Sequence, residues 1–271
     1  MEWPKLKNII LIILVLTNLC LVAFVAQREL RNDQLQRQAR EEAILFLKNR
    51  GVSVEEKQVP REMELLPQTV ERNLEEESQL AAALLGQGVK AEDRGAGVYR
   101  YSNDTGSIQF HSDGSFSAEF TPGAFPLGED RAEGCRELLE KLQFEGELLS
   151  EQENALVFRQ TWNGVPLFTQ QVTLEVKDGC LVAMTSGRRL VGEPVEDTSR
   201  QPITVVTALI DFLNGLNALG DVCSRIDTIT PGYVAATSLS GPMTLTPVWQ
   251  ITTDTGSYQL DTITGELSRI A

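Results

Sequence analysis

From Ile9 to Ala26 the chain carries eighteen consecutive residues without a charge, and this run sets the terms for everything after it. As a helix it extends roughly 27 Å, close to the hydrocarbon thickness that a membrane-spanning helix must cross. Lys5 and Lys7 lie where their stems can snorkel to the interface, and Trp3 supplies an aromatic at headgroup depth. A cleaved secretion signal also begins with basic residues, but cleavage after Ala26 puts bulky Phe24 at the third position back. The apolar core also exceeds the signal-peptide length of about 7 to 15 residues. The run is therefore read as an uncleaved anchor, with residues 9–26 as a transmembrane helix and residues 1–8 as the short tail before it. Charge does not orient it, because Arg28, Arg31, Arg37 and Arg40 follow the span, interleaved with Glu29, Asp33, Glu41 and Glu42.

Without Glu2, Lys5 and Lys7 the 24 basic and 38 acidic residues become 22 and 37, a formal net charge of −15 after Ala26. Such a body is repelled by nucleic acid, which is excluded as a partner, and it stays soluble beside the membrane that tethers it. One cysteine, Cys20, lies in the anchor; Cys135, Cys180 and Cys223 form an odd set, compatible with one bridge or with three buried free thiols.

The remainder reads as α+β. Apolar positions Leu30, Leu35, Ala39, Ala43, Ile44 and Leu47 predict a juxtamembrane helix over 27–50, ended by Gly51. It serves either as a solvated spacer or as a surface for other membrane-proximal helices. An N-terminal α+β domain over 51–128 is expected to hold a short strand at Val52–Val59, a helix at Val70–Leu85 and a three-stranded meander between Gly97 and Phe120. Asn103-Asp104-Thr105-Gly106 and Ser112-Asp113-Gly114 supply its turns. Two α-β-β-β units follow, over 129–196 and 197–271, each wrapping an antiparallel sheet over one helix. The first helix, Asp130–Phe144, is expected to bury Leu138, Leu139 and Leu142; the second, Thr204–Leu216, Val206, Leu209, Ile210 and Leu213. Val165-Pro166-Leu167-Phe168 and Thr246-Pro247-Val248-Trp249 open corresponding strands, a local echo between the units.

Catalytic and ligating patterns do not emerge. His111 is the only histidine, and it alternates with Ile108 and Phe110 as a sheet residue does. There is no Gly-x-Ser-x-Gly, Gly-x-x-x-x-Gly-Lys or Cys-x-x-Cys motif. Glu75-Glu76-Glu77 and the Glu145/Glu147 pair read as solvated faces, and turn chemistry explains Asp254 and Asp261 without calcium. The chain is expected to be no enzyme and to need no metal or cofactor.

Two stretches carry a family resemblance. Met1-Glu2-Trp3-Pro4-Lys5-Leu6-Lys7 before the apolar run resembles the opening of the YycI regulatory proteins, companions of the WalK (YycG) sensor histidine kinase in low-GC Gram-positive bacteria. Ile229-Thr230-Pro231-Gly232-Tyr233, Leu245 to Ile251 with Pro247-Val248-Trp249, Tyr258 and Thr264-Gly265-Glu266 resemble that family's closing repeat, and also PepSY-type (cystatin-like) modules. The resemblance makes the tail of residues 1–8 cytoplasmic and implies an extracytoplasmic body that contacts the kinase, with or without a YycH-type sister protein, through the span and the body. Thr17 and Asn18 are then the candidate helix contacts, since a mid-membrane Asn is costly unless paired. A PepSY-like module that inhibits or chaperones a secreted or spore-envelope peptidase is the alternative. Neither reading names a small-molecule ligand.

Overall fold

The expected span and the expected juxtamembrane helix are one uninterrupted helix, α1 (Trp3–Asn49), in a computed structural model that describes residues 3–63, 65–237 and 241–270. Nothing between Ala26 and Leu30 breaks it: there is no Gly or Pro, and Glu, Arg and Gln propagate helix well. Leu11, Leu14, Leu16 and Leu19 stand exposed along it, while the side chains at 9, 10, 12 and 26 lie outside the description. Among the described residues no helix is long and apolar enough to cross a membrane. The far end is different: Ala43 and Leu47 are buried, and Gly51 reverses the chain at φ 89°.

The chain then makes a 3-10 turn (Glu56–Gln58), β1 (Gln68–Val70), α2 (Leu74–Leu85), β2 (Lys90–Gly95), β3 (Val98–Asn103), β4 (Gly106–Phe110) and β5 (Ser115–Phe120). Next come α3 (Arg131–Glu140), β6 (Gly146–Glu151), β7 (Ala155–Trp162), β8 (Val165–Lys177), β9 (Cys180–Arg188) and β10 (Pro194–Glu196). The last set is α4 (Val205–Leu219), β11 (Ile226–Ala236), β12 (Met243–Thr253), β13 (Ser257–Asp261) and β14 (Leu267–Ile270). The architecture is α+β, and β3 to β5 form the expected meander.

Several expectations are corrected. Each helix α3 and α4 is followed by four strands of its own layer rather than three, and β2 widens the meander. The missed strands β2 and β6 are largely exposed sheet edges, rich in charge and lacking alternation. Val70 belongs to β1, held between β10 and β12, so the helix starts only after Asn73, whose Oδ1 accepts the Glu76 amide at 3.1 Å. Val52–Val59 is no strand; it makes one bridge, Ser53 to Arg225, before the 3-10 turn. Helix α3 stops at Glu140 because Gln143 turns to φ 52° and the Leu142 and Phe144 amides fold back onto the Leu139 carbonyl. Leu142 and Phe144 are nevertheless fully buried, so the apolar spacing runs past the helix.

Three apolar clusters follow from this order. The first joins α2 and α3 to β3–β5 and β7–β9. The second joins the end of α1 and α4 to β11–β14. There Leu209 and Leu213 are buried as expected and Val206 partly, but Ile210 is exposed and Ala208, Phe212 and Leu216 fill the core instead, because α4 faces both the sheet and α1. A small third cluster, around Leu167, Tyr233, Met243 and Leu245, lies between them.

Candidate interaction site

The third cluster marks a seam. Strand β8 of the first unit and β11 of the second meet in parallel at a single register pair, Leu167 opposite Tyr233. Two residues further along both strands the backbones are held by Thr169, whose Oγ1 accepts the Ala235 amide at 2.8 Å and donates to the Ala235 carbonyl at 3.3 Å. Gly232 permits the approach: a Cβ there would lie 2.5 Å from the Phe168 ring and 2.7 Å from the Pro166 carbonyl oxygen. Tyr233 is buried beneath the crossing, donating to the Leu66 carbonyl at 2.9 Å and accepting from Gln68 Nε2 at 3.2 Å. Burial pushes its phenol above the usual tyrosine range, with the Gln68 bond pulling the other way.

Beside the seam opens a cleft of about 420 Å³, walled by Pro60, Met63, Val165, Pro166, Pro231, Pro247, Val248 and Trp249. Val248 sits opposite Gly232, Trp249 opposite Pro231 and Pro247 opposite Tyr233, so five of the family-like residues share one hairpin. Trp249 is nearly fully buried, in the second cluster. The other two lie apart. Tyr258, on β13, donates to Asp221 Oδ2 at 3.0 Å and packs edge-on against Phe212 of α4. Gly265, in the β13–β14 turn at φ 75°, lies against Asp211 of α4, where a Cβ would meet Oδ2 at 2.5 Å. The motif thus welds a hairpin to a helix on one side and to the first unit on the other.

The 3-10 turn and the second unit together root α1. Arg40, buried on α1, donates to Glu56 Oε1 at 2.7 Å and to the Val59 carbonyl at 3.4 Å. Ala43 and Leu47 continue into the α4 core. Arg40, a charge flanking the apolar run in sequence, is in the fold a docking residue. Thr17 and Asn18 lie far along the same helix, both exposed, Thr17 Oγ1 donating back to the Ile13 carbonyl at 2.8 Å. The structure does not bring them to the cleft.

The remaining polar groups singled out in the sequence have the following surroundings. His111 lies just past β4 with Nε2 2.8 Å from Gln109 Nε2. Glu77 is no solvated residue: it is 1% exposed, and both its oxygens accept from Arg72 at 2.8 Å. The cysteines are all free thiols, Cys135 fully buried and Cys223 half-buried, and burial pushes both to about 11. Among the described residues no group of His, Cys, Asp and Glu is placed to hold a metal ion.

A rooted helix, a welded seam and a proline-lined cleft are thus the main features of this α+β chain. The YycI protein family matches residues 31–263, and the chain belongs to that family, whose members are regulatory proteins of the WalK (YycG) two-component system. The match covers the middle of the chain, where the sequence resembled the family only in its order of elements, and it begins after the apolar run. No curated protein matches the chain. Two solved structures are similar in outline. One is an uncharacterized protein from Eubacterium rectale, at 13% identity over 82% of this chain and 91% of that one, TM-score 0.42. The other is the Bacillus megaterium YpeB C-terminal domain, at 14% identity over 74% and 99%, TM-score 0.38.

Proposed function

We propose that this chain is a non-enzymatic, single-pass regulator of a WalK-type sensor histidine kinase, anchored by Ile9–Ala26 with its N-terminus cytoplasmic and its body outside. The family match over residues 31–263 carries the reading. In support, the apolar run has the length of a span, and it continues without a break into a helix whose end is buried in the body. A kinase or a YycH-type sister protein that contacts both the span and the body then feels one lever. Such a regulator works by binding one signalling state of the kinase better than the other, which shifts their populations.

Crosslinking in intact membranes followed by purification of this chain tests the proposal. Capture of a histidine kinase, and changed expression of that kinase's target genes on deletion, are the expected results. Recovery of neither kinase nor sister protein, with unchanged target genes, sinks it. Asn18→Leu is expected to reduce capture, because Asn18 is the polar side chain best placed to pair inside a bilayer.

A further inference from the structure

A second cavity lies away from the seam, where α2, the end of α3, the end of β7 and the segment after β9 converge. Its volume is about 690 Å³, within the range of small-molecule sites. Its walls are fixed. The Asn73 amide donates to the Val191 carbonyl at 3.0 Å, Gly192 packs where a Cβ would strike the Glu71 carbonyl oxygen at 2.2 Å, and the Thr161 amide holds the Glu145 carbonyl at 2.7 Å.

Arg189 lines this cavity and is only 4% exposed. Its guanidinium lies 5.3 Å over the Phe110 ring, its Nε is sealed without a hydrogen-bond partner, and it forms no ion pair among the described residues. Glu77 cannot serve it, since both Glu77 oxygens are taken by Arg72. A buried cation left in this condition costs stability unless an anion or water completes it. The rim carries the opposite charge: Glu76, Glu140, Glu145 and Glu193. That combination selects strongly. A simple anion meets four carboxylates on the way to one arginine, and a simple cation meets the arginine at the wall. A molecule with one carboxylate and two amines satisfies both.

We propose that this cavity is a binding site for a free basic amino acid, its carboxylate on Arg189 and its amines toward the glutamate rim, with Trp162 against its aliphatic stem.

Titration calorimetry of the full chain in detergent micelles, with L-lysine as probe, tests it. Saturable binding of L-lysine is expected. Cadaverine, which lacks the carboxylate, and hexanoate, which lacks the amines, are each expected to bind about tenfold or more weakly, the loss of a charged hydrogen bond. Arg189→Met is expected to abolish binding with the melting midpoint unchanged or raised, since an unpaired buried charge gives way to an apolar chain. The double variant Glu145→Gln with Glu193→Gln alters two exposed side chains and is expected to weaken L-lysine binding without touching the core, which keeps the test decisive even if Arg189→Met does not fold. No binding of L-lysine at millimolar concentration, equal binding of hexanoate or cadaverine, or undiminished binding by the double variant overturns the assignment. No kinase enters the measurement, so its failure leaves the regulator reading standing.

Discussion

Glu77 shows how a single residue departs from what its neighbours suggest. In a run of three glutamates it looks solvated, yet helix phase turns it inward while Glu75 and Glu76 face outward or sideways, and Arg72 then neutralises it. The same guanidinium donates to the Gly97 carbonyl at 2.6 Å and lies 5.5 Å over Tyr99, so the pair ties α2 to the β2–β3 turn. Removing one partner of a buried pair leaves a charge uncompensated. Glu77→Gln is therefore expected to cost about 3 kcal/mol in urea unfolding, whereas Glu75→Gln is expected to change stability by about 0.5 kcal/mol or less. The thiols give a second test. With its thiol near 11, Cys223 holds about a hundredfold less thiolate at pH 8 than an ordinary cysteine, so iodoacetamide labelling followed by mass spectrometry is expected to find it about that much slower than in urea. The sign for stability follows: the folded state prefers the protonated thiol, so its contribution is full below the ordinary cysteine range and is lost as pH rises through about 11.

At the scale of elements, what was legible follows the strength of the periodic signal. The meander was readable because Gly106 and Gly114 take positive φ at turns flanked by alternating strands. Edge strands β2 and β6 were not, since an exposed edge needs no apolar face and its residues, Lys-Ala-Glu-Asp-Arg-Gly in β2, are chosen against association. The residues of the seam were legible as a motif in Gly232, Tyr233 and Pro247-Val248-Trp249, but their role was not: that β11 crosses β8 depends on pairing across more than sixty positions of chain, which no local pattern encodes. Arg189 was invisible for a related reason. The pairing of β9 shifts register twice, between Leu181 and Ala183 and again around Ser186 at φ 51°, so alternation counted along the strand does not say which way Arg189 faces. The seam itself is testable. Gly232→Ala forces a methyl into the Phe168 ring and the Pro166 carbonyl, and overpacking of this kind costs about 1–3 kcal/mol. Gly123→Ala, at an open loop position with no atom near the new methyl, carries only the backbone strain of its positive φ and is expected to cost less in the same denaturation experiment.

The whole molecule couples a 47-residue helix to a body through α4 and the Glu56–Val59 segment, and the second unit meets the first at the seam and through the β10–β1–β12 ladder. Leu47, fully buried at that joint, packs with Ala43 into the core of the second unit. If the proposed regulator signals through this helix, its output depends on the phase between span and body, because each inserted residue turns the helix by about 100° and lengthens it by about 1.5 Å. Insertions of alanine after Gln34, between the apolar run and Arg40, separate phase from length. Two alanines turn the body by about 200° relative to the span and seven by about 700°, which is within 20° of the starting phase although the helix is longer by roughly 10 Å. A reporter driven by the kinase's target promoter is expected to lose regulation with two alanines and to recover most of it with seven, at equal protein abundance. Equal loss with both insertions would point to distance as the variable, and no loss with either would mean that α1 only tethers the body.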